Sequence, residues 1–271
     1  MAYRVTVLPE NRQLTAENGD VLLALLRSAG LSPEAPCGGN GRCGKCKVTV
    51  DGEEGLACQT RVDRDMTVIL PQKQASQILT EGIPVALSPD SGTCLAIDIG
   101  TTTVVAYLME NGRVLSVESR KNPQAAYGAD VVSRIGYEIK NKDGRLTQAI
   151  RACVEEITRT LLQTAGKHRI DGVCVVGNPA MQQLFLGLGV ENLASPPFQP
   201  VLTKAEITDG GGYIPSWAGA KLLTVPDIAG YIGADTVACI LAANMDKTEK
   251  LTLLVDIGTN GEMVLGILFA G

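Results

Sequence analysis

Residues 37–46 read Cys-Gly-Gly-Asn-Gly-Arg-Cys-Gly-Lys-Cys, and Cys58 follows after eleven intervening residues. This short segment therefore carries half of the eight cysteines in a chain of 271 residues. The other four are scattered singly along apolar segments: Cys94, Cys153, Cys174 and Cys239. A secreted disulfide framework usually distributes its cysteine pairs through a small chain, whereas a dense group in a larger chain more often holds a metal. The segment predicts a metal centre.

The spacing of the four clustered cysteines favours a [2Fe–2S] cluster, in which two thiolates ligate each iron. The glycines between them allow positive φ angles and let backbone N–H groups approach the sulfur atoms. Arg42 and Lys45 either place positive charge beside the cluster or are solvated loop charges. The alternative is a Cys₄ zinc site. Such sites usually present two C-x₂-C knuckles, and only Cys43 and Cys46 have that spacing here.

The residues around this loop predict a small domain of strands and one helix. A helix is expected over 21–26, with Asp20 as its N-cap and Gly30 as its C-terminal stop. Three segments have strand character: 3–8, 47–50 and 66–70. This order fits a β-grasp arrangement, and a domain of about 75 residues gains stability from an internal metal.

The loop resembles that of plant-type and adrenodoxin-type ferredoxins, which has the form C-G-x-x-G-x-C-G-x-C. The resemblance implies an electron-transfer domain whose cluster ligands are Cys37, Cys43, Cys46 and Cys58. Cys58 follows more closely here than the fourth cysteine does in most ferredoxins of this type. The hairpin between Cys46 and Cys58 must therefore be short.

A second motif occurs twice, as Asp98-Ile-Gly-Thr101 and Asp256-Ile-Gly-Thr259, at a constant offset of 158 residues. Strands are predicted on both sides of each copy. Glycine-centred turns expose successive N–H groups, threonine adds hydroxyl donors, and an aspartate at a strand end binds Mg²⁺ directly or through water. The repeat predicts two facing turns that grip nucleotide phosphates. The candidate residues are Asp98, Gly100, Thr101, Thr102 and Thr103 in the first turn and Asp256, Gly258, Thr259, Asn260 and Gly261 in the second.

Paired turns of this kind resemble those of the ASKHA superfamily, which includes actin, Hsp70 and the acetate and sugar kinases. The chain as a whole is similar to the reductive activators of corrinoid enzymes. Three further stretches match that family: 122–135, 176–187 and 230–236. The predicted fold is α+β / α/β, a β-grasp [2Fe–2S] ferredoxin-like domain followed by a partial ASKHA domain. The expected boundaries are 1–76 for the ferredoxin-type domain, 77–92 for a linker and 93–271 for the nucleotide-binding domain.

The resemblance implies that the protein returns the Co(II) corrinoid of a methyltransferase system to Co(I), with help from ATP and Mg²⁺. The expected partners of the protein are a corrinoid protein and an electron donor. The resemblance identifies no catalytic residues. Two alternatives remain open. One is a plain [2Fe–2S] electron carrier with a non-catalytic second domain, and the other is an ASKHA small-molecule kinase with an accessory cluster.

Members of that family continue well past the second turn. We therefore expect a C-terminally truncated or frameshifted chain that lacks part of its ATPase domain. A strand pair without its covering helices would leave an apolar face exposed.

Composition limits the classes of partner. Lys plus Arg number 24 against 29 Asp plus Glu, so the net charge is −5 and the chain lacks the basic excess of a nucleic-acid clamp. No apolar run reaches the ~18 residues of a membrane span, and the N-terminus lacks signal-peptide character. We expect a cytoplasmic protein that binds neither nucleic acid nor membrane.

The remaining candidates have simpler interpretations. Residues 150–161 carry an apolar helical stripe that includes Cys153, and the three other isolated cysteines are expected to be core residues as well. A strand is expected over 171–177. His168 is interpreted as a solvated or capping residue. Asp130 and Asp235 are interpreted as helix caps rather than nucleotide contacts.

Overall fold

The computed structural model describes residues 2–31, 33, 35, 37–71, 92–258 and 261–266. Contacts between Cα atoms group the chain into two compact units. The first comprises Met1–Gln77 with Gln124–Tyr137, and the second comprises Ile78–Pro123 with Glu138–Gly271. The predicted linker lies outside the described residues, apart from Gly92.

The described residues 2–71 of the first unit form a five-stranded sheet and one helix. Its elements are β1 (Ala2–Leu8), β2 (Arg12–Glu17), α1 (Leu22–Ser28), β3 (Lys47–Val50), β4 (Glu53–Leu56) and β5 (Met66–Ile69). The strand order is β2-β1-β5-β3-β4, and the central β1 and β5 run parallel. A helix between parallel central strands, flanked by antiparallel hairpins, is the predicted β-grasp arrangement.

The predicted first strand and the predicted end of the helix are confirmed, but the predicted N-cap of the helix is wrong. Val5 and Val7 alternate with polar residues on β1 and are fully buried, as a half-buried strand requires. Asp20 is not the N-cap of α1, because Val21 occupies that position without a side-chain cap. The Asp20 carboxylate instead accepts a hydrogen bond from the Glu17 N–H at 2.8 Å, which closes the turn after β2. Gly30 ends the helix as predicted, with φ +71°.

The second unit is built on a six-stranded sheet of order β10-β11-β9-β6-β7-β8. Its strands are β6 (Cys94–Ile99), β7 (Thr103–Glu110), β8 (Arg113–Lys121), β9 (Gly172–Gly177), β10 (Glu206–Asp209) and β11 (Lys221–Thr224). The helices that follow β8 along the chain are α2 (Val131–Asn141), α3 (Arg145–Ala165), α4 (Pro179–Leu186) and α5 (Ala234–Ala242). α3 packs against β7 and β8 through the predicted stripe, in which Ile150, Val154 and Ile157 are fully buried.

A separate antiparallel hairpin consists of β12 (Thr252–Ile257) and β13 (Gly261–Gly266). Gly261 pairs with Ile257, so β13 begins just after the second repeated motif. The hairpin exposes one apolar face, as predicted: Leu253, Val255, Ile257, Met263 and Leu265 are between 48% and 88% exposed. In the described parts of the chain, no helix has the length and apolar character needed to cross a membrane.

Candidate functional site

The four clustered cysteines form two close pairs. Cys43 Sγ lies 3.3 Å from Cys37 Sγ, and Cys46 Sγ lies 3.3 Å from Cys58 Sγ. No group of three or more Cys, His, Asp or Glu in the described ranges is arranged to hold a single metal ion. Two thiol pairs are the donor set that a two-iron cluster requires, because each iron takes two cysteines. The residues therefore fit a [2Fe–2S] cluster.

Glycine geometry explains how the loop brings these thiols together. Gly41 has φ +74°, and a Cβ at that position would lie 2.6 Å from Gln59 Nε2. Asp51 and Gly52 both have positive φ and form a two-residue turn between β3 and β4. That turn makes the hairpin short, as the spacing predicted, and returns the chain to Cys58.

Backbone N–H groups approach the sulfur atoms, as the glycine content predicted. Burial raises the pKa of Cys37, but hydrogen bonds from Cys43, Gly39 and Arg42 outweigh it and set this pKa at about 6. For Cys58, burial and the neighbouring Cys46 thiol raise the pKa to about 11, against a hydrogen bond from Gly41. One thiol of the loop thus ionises readily, while Cys58 requires a bound cation to lose its proton.

The charged side chains of this loop point to solvent. Arg42 and Lys45 are both exposed, which favours their interpretation as solvated loop charges. Exposed charges are screened by water and salt, so their influence on a nearby cluster is weak.

The first predicted phosphate turn connects β6 and β7. A Cβ at Gly100 would lie 2.8 Å from the Thr103 carbonyl oxygen, so the turn is too tight for any other residue. Asn122 Nδ2 donates to the Gly100 carbonyl oxygen at 2.8 Å, and the Asn122 N–H donates to Thr102 O at 2.8 Å. Asn178 Nδ2 donates to Thr101 Oγ1 at 3.2 Å. Two asparagines therefore hold the turn in one conformation.

Asp98 lies beside a group of acidic residues. Solvent reaches its side chain, but the surrounding protein removes part of its hydration. This desolvation, together with the negative charges of Asp235 and Asp256, raises the pKa of Asp98 to about 6. The structure thus places the aspartates of the two repeated motifs in electrostatic reach of each other. Thr259 and Asn260 of the second turn lie outside the described residues.

Several residues of this site were missed from the sequence. Asn122 directly follows β8 and Asn178 directly follows β9, at the same sheet edge as Asp98, because these strands run parallel to β6. The position of Asn178 directly after the strand predicted over 171–177 is a signal that could have found it, whereas no strand was predicted before Asn122. No motif or pattern in the sequence pointed to Asp227. It is 5% exposed, and neither carboxylate oxygen has a hydrogen-bond partner in the described residues.

The interpretation as helix caps holds for one aspartate and fails for the other. Asp130 Oδ1 accepts a hydrogen bond from the Ser133 N–H at 2.7 Å at the start of α2. Asp235 instead lies in the first turn of α5, where Gly233 is the N-cap, and its carboxylate faces the acidic group. Burial, with the charge of Asp256, raises its pKa.

The expectation of a core position is confirmed for Cys153, whereas Cys94, Cys174 and Cys239 are only partly buried, and His168 is solvated as interpreted. Cys153 is buried on α3, and burial raises its pKa to about 11. Cys94, Cys174 and Cys239 are partly buried, and burial also raises the pKa of each. His168 is exposed.

A family model described as the RACo middle region matches residues 93–248, which is more than half of the chain. The chain belongs to the RACo family. A second model, the 2Fe–2S iron–sulfur cluster binding domain, matches residues 5–63 ahead of the RACo region. The protein therefore carries a [2Fe–2S] cluster domain, and that match includes all four clustered cysteines.

Three similar proteins match different portions of this chain. It is 34% identical over 180 residues to the corrinoid activation enzyme RamQ of Eubacterium limosum, covering 64% of this chain and 30% of RamQ. A solved reductive activator for a corrinoid, iron–sulfur protein superposes with a TM-score of 0.62 at 25% identity, covering 98% of this chain and 61% of that one. A component of the Na⁺-translocating NADH-quinone reductase of Yersinia pestis is 33% identical over 84 residues, covering 24% of this chain and 21% of that component.

This chain thus spans less than two thirds of the length of each of these relatives. The predicted order of folds is confirmed: a ferredoxin-like β-grasp domain precedes an α/β domain that matches the RACo middle region.

Proposed function

We propose that this protein is an ATP-dependent reductive activator that returns a Co(II) corrinoid of a methyltransferase system to Co(I). The observation that carries the proposal is the pairing of the four thiols at 3.3 Å within each pair. Support comes from two relatives, one described as a corrinoid activation enzyme and the other as a reductive activator. We take the partners to be a corrinoid protein and a separate electron donor.

In this proposal Cys37 and Cys43 ligate one iron, and Cys46 and Cys58 ligate the other. A bound [2Fe–2S] cluster supplies one electron at a time, which matches the single electron that separates Co(II) from Co(I). The loop N–H groups around Cys37 stabilise negative charge on sulfur and so keep the thiolate ready for iron. The domain boundaries that accompany this proposal are 1–76, 77–92 and 93–271.

We further propose that the two repeated turns bind ATP with Mg²⁺. The first turn offers the backbone N–H groups and hydroxyls of residues 100–103, and the second offers those of Gly258, Thr259, Asn260 and Gly261. Asp98 and Asp256 would hold the cation directly or through water, because Mg²⁺ on nucleotides keeps several waters. A site with this many carboxylates repels phosphates unless a divalent cation lies between them, which makes the cation a requirement.

The need for ATP follows from the energetics of electron transfer. Plant-type clusters have potentials near about −400 mV, and each further 100 mV uphill costs about 2.3 kcal/mol per electron. Nucleotide binding offsets that cost if it favours a conformation or complex in which transfer proceeds. A cluster held by these four cysteines would supply the electron for the partner's cobalt, and the separate donor would have to replace it.

The test is the appearance of Co(I) absorption when the reduced protein meets a Co(II) corrinoid protein, with and without Mg·ATP. We expect reduction that depends on ATP and is lost in Cys58→Ser but retained in Cys94→Ser, which removes a cysteine outside the loop. Asp98→Asn should abolish the ATP dependence, whereas Asp209→Asn, an exposed aspartate away from the turns, should not.

Two outcomes would overturn the proposal. ATP-independent reduction of generic acceptors, without any response of the corrinoid to ATP, indicates a plain electron carrier. Phosphorylation of a small metabolite indicates a kinase.

A further inference from the structure

Arg27 lies in the last turn of α1 and reaches the cysteine loop. Its Nη1 donates to the Gly38 carbonyl oxygen at 3.4 Å, and its guanidinium carbon lies 5.6 Å from the ring centre of Tyr127. Its Nε and Nη2 are buried and have no hydrogen-bond partner among the described residues. Leaving charged donors buried and unpaired is costly, so this arrangement requires a source of negative charge close by.

The surroundings of Arg27 offer sulfur and aromatic rings in place of a carboxylate. No ion pair between Arg27 and an Asp or Glu occurs in the part of the chain that the structure covers. Burial lowers the pKa of Arg27, and Tyr137, Tyr127, Cys46 and Cys37 act in the opposite direction. The two thiols that favour the charged form of Arg27, those of Cys37 and Cys46, therefore belong to different cysteine pairs.

We propose that Arg27 is the partly buried counter-charge of the cluster and raises its reduction potential. The inference rests on the cluster site of the proposed function. Four thiolates and two irons gain one further negative charge on reduction, and a fixed positive charge nearby stabilises that reduced state more than the oxidised one. Arg27 is effective because two of its guanidinium nitrogens are buried, whereas Arg42 and Lys45 on the cysteine loop are exposed and screened.

Tyr127 provides the shield. It belongs to the segment Gln124–Tyr137 of the same compact unit, and its ring lies 4.9 Å from that of Tyr137. A Cβ at Gly38 would lie 3.4 Å from the Tyr127 carbonyl oxygen, so this segment packs directly on the cysteine loop. Removing the Tyr127 ring admits water to the guanidinium and weakens its effect without removing the charge.

The experiment is a dye-mediated redox titration of the anaerobically purified full chain, followed by visible absorption and paramagnetic resonance. At a fixed potential near the wild-type midpoint, Arg27→Gln should lower the ratio of reduced to oxidised cluster about tenfold, equivalent to about 59 mV for one electron. Arg27→Lys should recover part of that loss because it keeps the charge. Arg42→Gln and Lys45→Gln should each change the ratio less than about twofold, as expected for screened charges.

A second pair of variants covers the case in which Arg27→Gln does not hold iron. Tyr127→Ala should lower the same ratio, while Tyr127→Phe, which keeps the ring, should leave it near the wild-type value. Iron-loaded Arg27→Gln or Tyr127→Ala protein with the wild-type ratio would overturn the role of Arg27. A wild-type chain without iron would overturn the cluster site of the proposed function, and with it this inference.

Discussion

Replacing Asp227 by Asn should stabilise the second unit, by an amount that grows with pH. Asp227 follows β11, is 5% exposed and has no hydrogen-bond partner for either carboxylate oxygen in the described residues. Burial raises its pKa from 3.8 to about 7, and the charge of Asp235 adds to this increase; the Ala234 N–H opposes it from nearby, although it does not reach hydrogen-bond geometry with the carboxylate. A shift of about three units at about 1.36 kcal/mol each corresponds to about 4 kcal/mol.

The sign follows from proton binding. Because the folded pKa lies above the unfolded one, the folded state binds more protons between pH 4 and pH 7, and the free energy of unfolding falls as pH rises through that window. The penalty is about 2 kcal/mol at pH 5.5 and about 4 kcal/mol at pH 8. Asparagine carries no charge, so the advantage of Asp227→Asn over wild type should increase by about 2 kcal/mol between these two pH values.

The assay is urea unfolding without nucleotide or Mg²⁺, followed by the fluorescence of Trp217. This residue is the only tryptophan, is fully buried and lies in the second unit, so its emission reports on the unit that contains Asp227. The control is Asp209→Asn, which replaces an exposed aspartate and should show no such trend. An Asp227→Asn advantage that is the same at both pH values, or is absent, would refute the reasoning.

Three further predictions concern the loop and the turn. Gly41→Ala should reduce the iron content per chain. The φ of +74° at Gly41 disfavours any residue with a Cβ, and that Cβ would also lie 2.6 Å from Gln59 Nε2. An iron content equal to that of wild type, measured by elemental assay, would contradict this prediction. Asn122→Ala should lower the free energy of unfolding by about 1–3 kcal/mol, because it leaves the Gly100 carbonyl without the Asn122 donor. A loss below about 0.5 kcal/mol in the same urea assay would contradict this prediction. Calorimetric Mg·ATP affinity should rise between pH 5.5 and pH 7.5, because protons compete with the cation for Asp98, whose pKa is about 6; an affinity independent of pH would exclude Asp98 as a ligand.

The sequence predicted local structure most accurately where a residue type or spacing permits only one backbone geometry. The Asp98-Ile-Gly-Thr101 motif indicated a tight turn after a strand, and Gly100 has that geometry, because a Cβ there would lie 2.8 Å from the Thr103 carbonyl oxygen. The spacing of Cys46 and Cys58 likewise required the short hairpin, since both thiols must reach the same place. These constraints are local and leave little freedom.

Features that depend on contacts between distant segments could not be predicted from the sequence. The sequence predicted that Asp20 caps α1, but its carboxylate accepts a hydrogen bond from the Glu17 N–H in the turn after β2. Strand β8 carries many charged and polar residues and shows no clear apolar alternation, so its place at the sheet edge follows from pairing with β7. From the sequence, Arg27 is an ordinary helix-surface cation, and only the structure shows that the Tyr127 ring packs over it and that two of its nitrogens are buried.

The central claim is that the loop of Cys37, Cys43, Cys46 and Cys58 encloses one redox-active pair of irons. Paramagnetic resonance of the anaerobically purified, dithionite-reduced chain tests it most directly, with iron quantified on the same sample. The account predicts two irons and one unpaired electron per chain, with the signal lost in Cys58→Ser. A silent spectrum from protein that contains zinc and no iron would contradict it.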